Sequence, residues 1–201
     1  MANKLSQEPT DRFLSHLSER EGFREDVYLD SLGKLTGGTG HLLTVLERAE
    51  YKKGDRPGSA VTDKWLAQDS AIAYRAGFSQ AKELGIEDQG MVEALGNVNF
   101  QLGTGWRNKF GKTWSAMQSG DYDLAASEAM FKTPGKNLEL GPPEPSEWMK
   151  QTPTRVKDFV GALKSYGKSQ EYSKNINTAF DAMKDIDDPL RTGWENIYGN
   201  K

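Results

Sequence analysis

Apolar residues recur every three or four positions along most of the 201-residue sequence beyond residue 62. This spacing is typical of amphipathic helices. The first such helix is predicted to open at Thr62 and Asp63 and to continue to Leu84. Its apolar positions are Trp65, Leu66, Ile72 and Tyr74. Five further helices are predicted over residues 90–102, 108–118, 121–132, 151–165 and 173–186. The prolines of segment 133–147 predict a loop before the last two.

A shorter helix is predicted near the start of the chain, over residues 10–21. Thr10 is a suitable capping residue, and Gly22 is suited to end the helix. Its apolar residues, which fall on one face, are Phe13, Leu14 and Leu17.

Between residues 25 and 40 the pattern changes from helical spacing to alternation. Val27, Leu29 and Leu35 alternate around the turn sequence "DSLG", which predicts a small antiparallel hairpin. The whole chain is therefore predicted to be a single α+β domain that is mostly helical. A small β-containing lobe is expected over 10–61, a connecting helix over 62–84, and a larger helical lobe over 85–201.

The composition excludes several kinds of site and partner. Cysteine is absent and only two histidines are present, so we expect no disulfide and no metal site. The net charge of −3 lacks the basic surplus of nucleic-acid-binding proteins. No apolar run reaches the roughly 18 residues of a membrane span, and the start "MANKLSQEPTDRF" does not resemble a secretory signal. We expect a protein kept in the cytoplasm unless another device releases it.

Two acidic residues in the first lobe suggest acid–base chemistry. Glu21 ends the first predicted helix, where the helix dipole favours a protonated carboxyl, the form that a general acid needs. Asp30 lies in the predicted hairpin turn and is expected to stay ionised. Such a pair is the basic equipment of glycoside hydrolases. A structural origin stays open, because Glu-Gly at helix ends and Asp in turns are both common.

The segment "EGFREDVYLDSLGKLTGGTGHLLT" resembles the active-site segment of the T-even phage lysozymes, the muramidases of glycoside hydrolase family 24. The signature of that family is Glu, eight residues, Asp, five residues and Thr, which falls here on Glu21, Asp30 and Thr36. The segments "VTDKWLAQD", "NVNFQLG", "WMKQTPTRV" and "RTGWENIY" are also similar to that family. The resemblance implies a lysozyme-like two-lobe fold.

The resemblance also implies hydrolysis of the β-1,4 bond between N-acetylmuramic acid and N-acetylglucosamine in peptidoglycan. Glu21 would protonate the leaving oxygen. Asp30, with Thr36 holding the water, would direct attack from the opposite face and so give inversion. The implied substrate contacts are Leu42, Phe100, Gln101 and Thr113. No metal or organic cofactor is implied. We expect a monomer and, since neither a separate wall-binding module nor a secretory signal is recognised, holin-dependent release from the host cytoplasm to the periplasmic cell wall.

Other residues are expected to support the site. His41 is expected to be structural rather than a general base, paired with Asp69 on the connecting helix. Arg155 matches a family arginine that reaches the catalytic glutamate, where a positive charge would favour ionised Glu21 and oppose the helix-end effect. Trp106 and Trp114 are expected in the core.

The sequence also departs from the family pattern. Gly37 replaces a residue that is often bulky, which is expected to loosen the strand. Segments 134–147 and 164–188 look inserted. The second segment contains one apolar stripe, formed by Ile176, Phe180, Met183 and Ile186. We expect this stripe to pack onto the helical lobe. The alternative is that it forms a docking surface for another protein.

Three other functions fit these residues less well than a muramidase does. A lytic transglycosylase uses the glutamate alone and needs no positioned water. The presence of the Asp30–Thr36 pair therefore argues against this activity. A non-catalytic wall-binding or virion protein on a lysozyme scaffold places no demand on the three side chains. Nucleotide binding is the third alternative. The glycine-rich stretches "TGGTGH" and "GWRNKFGKT" do not support it, because they lack the ending or the spacing of a phosphate-binding loop.

Overall fold

The computed structural model describes residues 5–132 and 144–183, and within them the chain is mostly helical with one three-stranded antiparallel sheet. The elements are α1 (Asp11–Arg20), β1 (Arg24–Leu29), β2 (Leu35–Gly38), β3 (His41–Leu42), α2 (Val45–Glu50), α3 (Ser59–Glu83), α4 (Gln89–Leu102), a 3-10 turn (Trp106–Asn108), α5 (Gly111–Gln118), α6 (Tyr122–Met130), α7 (Glu147–Gln151) and α8 (Pro153–Met183). Contacts divide the described residues into two units, one of Ser6–Lys109 and another of Leu5 with the described residues from Phe110 onwards.

Helix α1 forms where it was predicted, and its cap is confirmed. Thr10 Oγ1 accepts a hydrogen bond from the Phe13 amide at 3.1 Å. Phe13 and Leu17 are buried, but Leu14 is 38% exposed, so its assignment to the buried face was wrong. The helix ends at Arg20, and the capping position is Glu21 rather than Gly22.

The predicted hairpin is confirmed as β1 and β2, and β3 extends it to a sheet of order β1-β2-β3. Val27 is fully buried, whereas Leu29, beside the turn, is 46% exposed. The third strand and helix α2 were not predicted. Helix α2 buries none of its residues and begins with a capping box between Thr44 and Glu47.

Helix α3 begins at Ser59, three residues before its predicted start. Thr62 is not its cap, because the residue is buried and its hydroxyl donates to the Ser59 carbonyl at 3.1 Å. Ile72 is 60% exposed, so it does not belong to the apolar face. Helix α3 contacts β2, β3 and α4, and all of these elements belong to the unit Ser6–Lys109.

A buried polar network joins α3 to α4 and to the 3-10 turn. Gln80 and Asn99 exchange two hydrogen bonds, at 3.1 and 2.8 Å. The Trp106 indole donates to the Gln80 side-chain oxygen at 3.2 Å. Trp106 is 1% exposed, so its predicted place in the core is confirmed. The network accounts for Asn99 within the "NVNFQLG" segment as a structural residue.

The second unit contains α5 to α8. Trp114 is 7% exposed, which confirms it as a core residue. Residues 133–143, most of the predicted proline-rich insert, lie outside the described residues. On either side of them, the Lys132 amide donates to the Glu144 carbonyl at 2.8 Å, and the short helix α7, which was not predicted, follows.

Helix α8 is continuous from Pro153 to Met183, where two helices were predicted. Ile176 is half-buried, and the residues on either side of it from 171 to 179 are exposed. The side chains of Phe180 and Met183, and all of residue 186, lie outside the described part of the chain. Packing of the apolar stripe therefore stays a prediction.

Candidate active site

Glu21 lies directly after the last turn of α1. Its amide donates to the Leu17 carbonyl at 2.9 Å, while its own backbone is extended, with φ −91° and ψ 134°. The residue is half-buried. The backbone therefore places the carboxyl at the carbonyl end of the helix, as the sequence predicted.

Helix α1, which carries Glu21, is anchored at its other end by a residue that sequence reasoning missed. Glu93 on α4 is 7% exposed. It accepts a hydrogen bond from Thr10 Oγ1 at 2.8 Å and another from Arg12 Nε. This contact raises the pKa of Arg12, first through the hydrogen bond and then through the charge of Glu93. The N-terminal turn of α1 is thereby fixed to the longer helix.

Asp30 is the first residue of the turn between β1 and β2. Its Oδ1 accepts hydrogen bonds from the amides of Leu32 and Lys34, at 2.9 and 2.8 Å. Gly33 completes the turn with φ +75°, a conformation that favours glycine. These two hydrogen bonds fix the rotamer of the aspartate. They leave Oδ2 without a hydrogen bond among the described residues.

Thr36 lies on the central strand and is 4% exposed. Its hydroxyl donates to the Lys34 carbonyl at 3.2 Å, and the same carbonyl accepts the Asp30 amide at 2.9 Å. One backbone carbonyl thus joins the two residues, so their relative placement follows from the turn itself.

The register of the sheet shows which side chains share a face. Tyr28 is paired with Thr36, and Thr36 with Leu42. Because alternate residues of a strand point to the same side, Asp30 belongs to this face as well. Leu42 is 50% exposed, which suits its predicted role in substrate contact. Tyr28, which was not predicted as a site residue, carries the Arg24 guanidinium 4.1 Å from its ring centroid.

The opposite face of the sheet packs against Trp65 of α3. Gly37 is buried there, and a Cβ on it would lie 2.9 Å from Cζ3 of the tryptophan. The expectation that this glycine loosens the strand was wrong, because the indole ring fills the space that a larger residue would occupy. His41 stacks on the same ring, with centroids 4.8 Å apart and planes at 16°.

The predicted contact between His41 and Asp69 is present, with Nδ1 2.9 Å from Oδ2. The second ring nitrogen meets a carboxylate that was not predicted, Glu47, at 3.0 Å. Burial lowers the pKa of His41, but the hydrogen bonds to Asp69 and Glu47 outweigh it and raise the pKa above its usual 6.5. Burial raises the pKa of Glu47, but hydrogen bonds from His41 and Thr44 lower it from 4.5 to about 2.

The remaining predicted site residues lie on several helices. Phe100 and Gln101 are half-buried in the last turn of α4, in the same unit as Glu21. Thr113, on α5 in the other unit, is 1% exposed, so in this conformation it offers almost no surface to a substrate. Arg155 lies in the first turn of α8, also in that unit, and is half-buried. Their roles stay predictions.

The model of the phage lysozyme family matches residues 18–139, more than half of the chain. The chain belongs to the phage lysozyme family. The matched range contains Glu21, Asp30 and Thr36 together with Tyr28 and the His41 contacts, whereas Arg155 lies outside it. The mostly helical structure with a small antiparallel sheet has the α+β character of a lysozyme-like fold.

A curated relative supports the assignment. The peptidoglycan hydrolase gp36 of Pseudomonas phage phiKMV is 28% identical over 148 residues, which cover 72% of this chain. That relative is much longer, and the match covers 14% of its length. Within the described residues of this phage lysozyme, no helix is long and apolar enough to cross a membrane, and no group of three potential ligands is placed to hold a metal ion.

Proposed function

We propose that this phage lysozyme degrades peptidoglycan by hydrolysing the β-1,4 bond between N-acetylmuramic acid and N-acetylglucosamine. One observation carries the proposal. The turn fixes Asp30 through hydrogen bonds from two backbone amides to Oδ1. It also joins Asp30 to Thr36, because both donate to the Lys34 carbonyl. This segment lies within the range that the family model matches. A carboxylate held in this way suits the positioning of a small nucleophile.

In the proposed mechanism Glu21 is the general acid. It gives its proton to the glycosidic oxygen as the bond from that oxygen to the sugar carbon breaks. A water held by Asp30 and Thr36 attacks the same carbon from the opposite face and gives its proton to Asp30. This route inverts the configuration, and it requires the two carboxyl groups to stand roughly 6.5–9.5 Å apart to leave room for the water.

The physiological role that we propose is lysis of the host cell. The enzyme would act as a monomer on the periplasmic cell wall after holin-dependent release from the cytoplasm. A virion-associated role is the alternative, since the matched segment of the phiKMV relative is part of a much longer chain. Detection of the protein in purified virions would favour the alternative, whereas its presence only in the lysate would favour host lysis.

The Glu21→Gln variant tests the mechanism. Removal of a positioned general acid is expected to lower the rate of clearing of permeabilised cells by about 10²–10⁴-fold. Glu25→Gln is the matched control, since Glu25 is exposed on β1 and its carboxylate lies 3.5 Å from the exposed Arg56. Near-normal clearing by a folded Glu21→Gln protein would contradict the proposal.

The products separate the competing reactions. Mass spectrometry of digested glycan strands is expected to show reducing muramic acid ends. Anhydro ends would instead indicate a lytic transglycosylase. Binding to cell walls without any soluble product would indicate a non-catalytic wall-binding protein.

A further inference from the structure

The carboxylate of Glu47 joins helix α2 to strand β3. Its Oε2 accepts hydrogen bonds from the amide and the hydroxyl of Thr44, both at 2.8 Å, and lies 3.0 Å from Nε2 of His41. Thr44 is the capping residue of α2. A single oxygen therefore ties the start of this helix to the histidine ring.

Helix α2 has no buried apolar residue of its own; the apolar contacts beside it come from its flanking residues Leu43 and Tyr51, which pack with Trp65. None of its residues is buried, and Val45 and Leu46 are 76% and 82% exposed. A six-residue helix is too short to be stable by itself. Within the helix itself, the hydrogen bonds of Glu47 link α2 to the sheet.

The arrangement around His41 suits a protonated ring. Nδ1 faces Asp69 of α3 at 2.9 Å, and Nε2 faces Glu47 of α2 at 3.0 Å. An imidazolium has two N–H donors, whereas a neutral imidazole has one donor and one acceptor. Loss of the proton would set a ring lone pair against one carboxylate, so both contacts are satisfied only in the charged state.

The ring is in turn connected to the strand that carries Thr36. His41 is paired with Gly37 of β2, and Leu42 with Thr36. The ring also stacks on Trp65, whose edge lies against Gly37. A shift of His41 would therefore act on β2 through both the strand pairing and the tryptophan.

We propose that Glu47 is a positioning residue for the active-site strand: together with Asp69 it holds a doubly hydrogen-bonded His41 imidazolium against Trp65, and deprotonation of His41 as pH rises displaces Thr36 and lowers activity. The inference rests on the role proposed above for Thr36.

Among the described residues, two carboxylates are hydrogen-bonded to the His41 ring. Asp69 faces the ring from α3 and Glu47 faces it from α2, while its β2 neighbours Gly37 and Thr36 carry no charge. Tyr51, which follows α2, contacts Trp65 edge-on at 5.7 Å. The hydrogen bonds of the two carboxylates raise the pKa of His41 against the effect of burial, so the loss of either one is expected to lower it.

The test compares Glu47→Gln with Glu50→Gln, which removes the same charge from an exposed position of the same helix. Glu50 bonds to the Tyr51 hydroxyl, and the amide oxygen of the glutamine can still accept that hydrogen bond. The His41 ring and the Thr36 amide are followed by NMR across pH, with His16→Gln used to assign the two histidines. The alkaline limb of kcat/KM is measured on the same proteins. In Glu47→Gln, the ring titration, the Thr36 amide titration and the alkaline limb are expected to move together to lower pH by about one unit. In Glu50→Gln all three are expected to stay in place.

Two outcomes would overturn the proposal. The first is a ring titration that is unchanged in Glu47→Gln. The second is a ring titration that shifts while the Thr36 amide and the alkaline limb do not, which would make the His41 contacts structural only. If the unmodified protein hydrolyses no peptidoglycan, the proposed function fails, but the NMR comparison still decides the present question. A Thr36 amide signal that shifts with the titration of the His41 ring would support the link to the strand. A Thr36 amide signal that does not follow the ring would refute it.

Discussion

Gly77 of α3 and Gly96 of α4 let the two longest helices of their unit approach each other closely. A Cβ on Gly77 would lie 2.5 Å from the amide nitrogen of Gly96 and 2.9 Å from the Val92 carbonyl oxygen. Both neighbours are backbone atoms, which cannot move aside without shifting a helix. Because α4 also anchors α1 through Glu93, this approach contributes to the placement of Glu21.

Gly77→Ala is therefore expected to destabilise the protein by about 1–3 kcal/mol through overpacking. Denaturant unfolding followed by circular dichroism measures the effect. Gly161→Ala on α8 is the matched control, since nothing lies within 4 Å of its Cβ position. The control is expected to be neutral or to stabilise by up to about 1 kcal/mol. Equal stability of the two variants would show that the helices do not pack in this way.

Much of the active-site region could be predicted because its signals are local. Thr10 caps α1 through an amide three residues away, and the Asp30 turn is closed by Lys34. The interactions that could not be predicted join distant parts of the chain. Glu93 meets Thr10 across 83 residues, and nothing in the sequence indicates that this acid is buried.

The errors in the helices have identifiable causes. Helix α2 has no apolar stripe, because Val45 and Leu46 are both exposed. The Thr44–Glu47 capping box was the signal that would have found it. Helix α8 was divided into two because residues 166–172 contain no aliphatic residue that would continue the helical spacing. A polar stretch continues a helix where its side chains face solvent, as most of them do here.

Asp69→Asn is expected to lower stability while leaving most of the activity. His41 is 7% exposed, and the change weakens one of its two carboxylate contacts, at an expected cost of about 1–3 kcal/mol. Thermal unfolding and wall clearing are both measured near pH 5.5, where Glu47 still favours the protonated ring. Asp63→Asn, at an exposed position of the same helix, is the control. Loss of activity without loss of stability would assign His41 a chemical role.

The His41 contacts also predict how stability depends on pH. The raised pKa of His41 means that its contribution is complete below 6.5 and is lost as pH rises through the folded-state value. The lowered pKa of Glu47 means that its contribution is complete above 4.5 and is lost as pH falls towards about 2. Both contributions are therefore complete between pH 4.5 and 6.5.

The difference in unfolding free energy between the unmodified protein and Glu47→Gln isolates this effect. It is expected to be largest between those two pH values and to shrink on either side. The corresponding difference for Glu50→Gln gives the baseline. A difference that does not vary with pH would mean that the two groups are not coupled in the folded protein.

Asp30→Asn separates the structural and the chemical parts of the catalytic aspartate. The asparagine oxygen can accept the same two amide hydrogen bonds that Oδ1 accepts from Leu32 and Lys34. The turn should therefore persist, with a loss of stability below about 1 kcal/mol. The amide nitrogen that replaces Oδ2 cannot take a proton from water. Wall clearing is accordingly expected to fall by about 10²–10⁴-fold.

Two further variants complete this comparison. Asp30→Ala removes the turn hydrogen bonds as well, so it is expected to be less stable than Asp30→Asn while being equally inactive. Asp26→Asn is the control on the strand before Asp30. The Asp26 carboxylate accepts a hydrogen bond from Arg24 at 2.9 Å and is not part of the catalytic signature. The Asp26→Asn protein should therefore keep its activity. If Asp30→Asn cleared cell walls as fast as Asp26→Asn, Asp30 would be a turn residue only, and Glu21 would be left without the base that inversion requires.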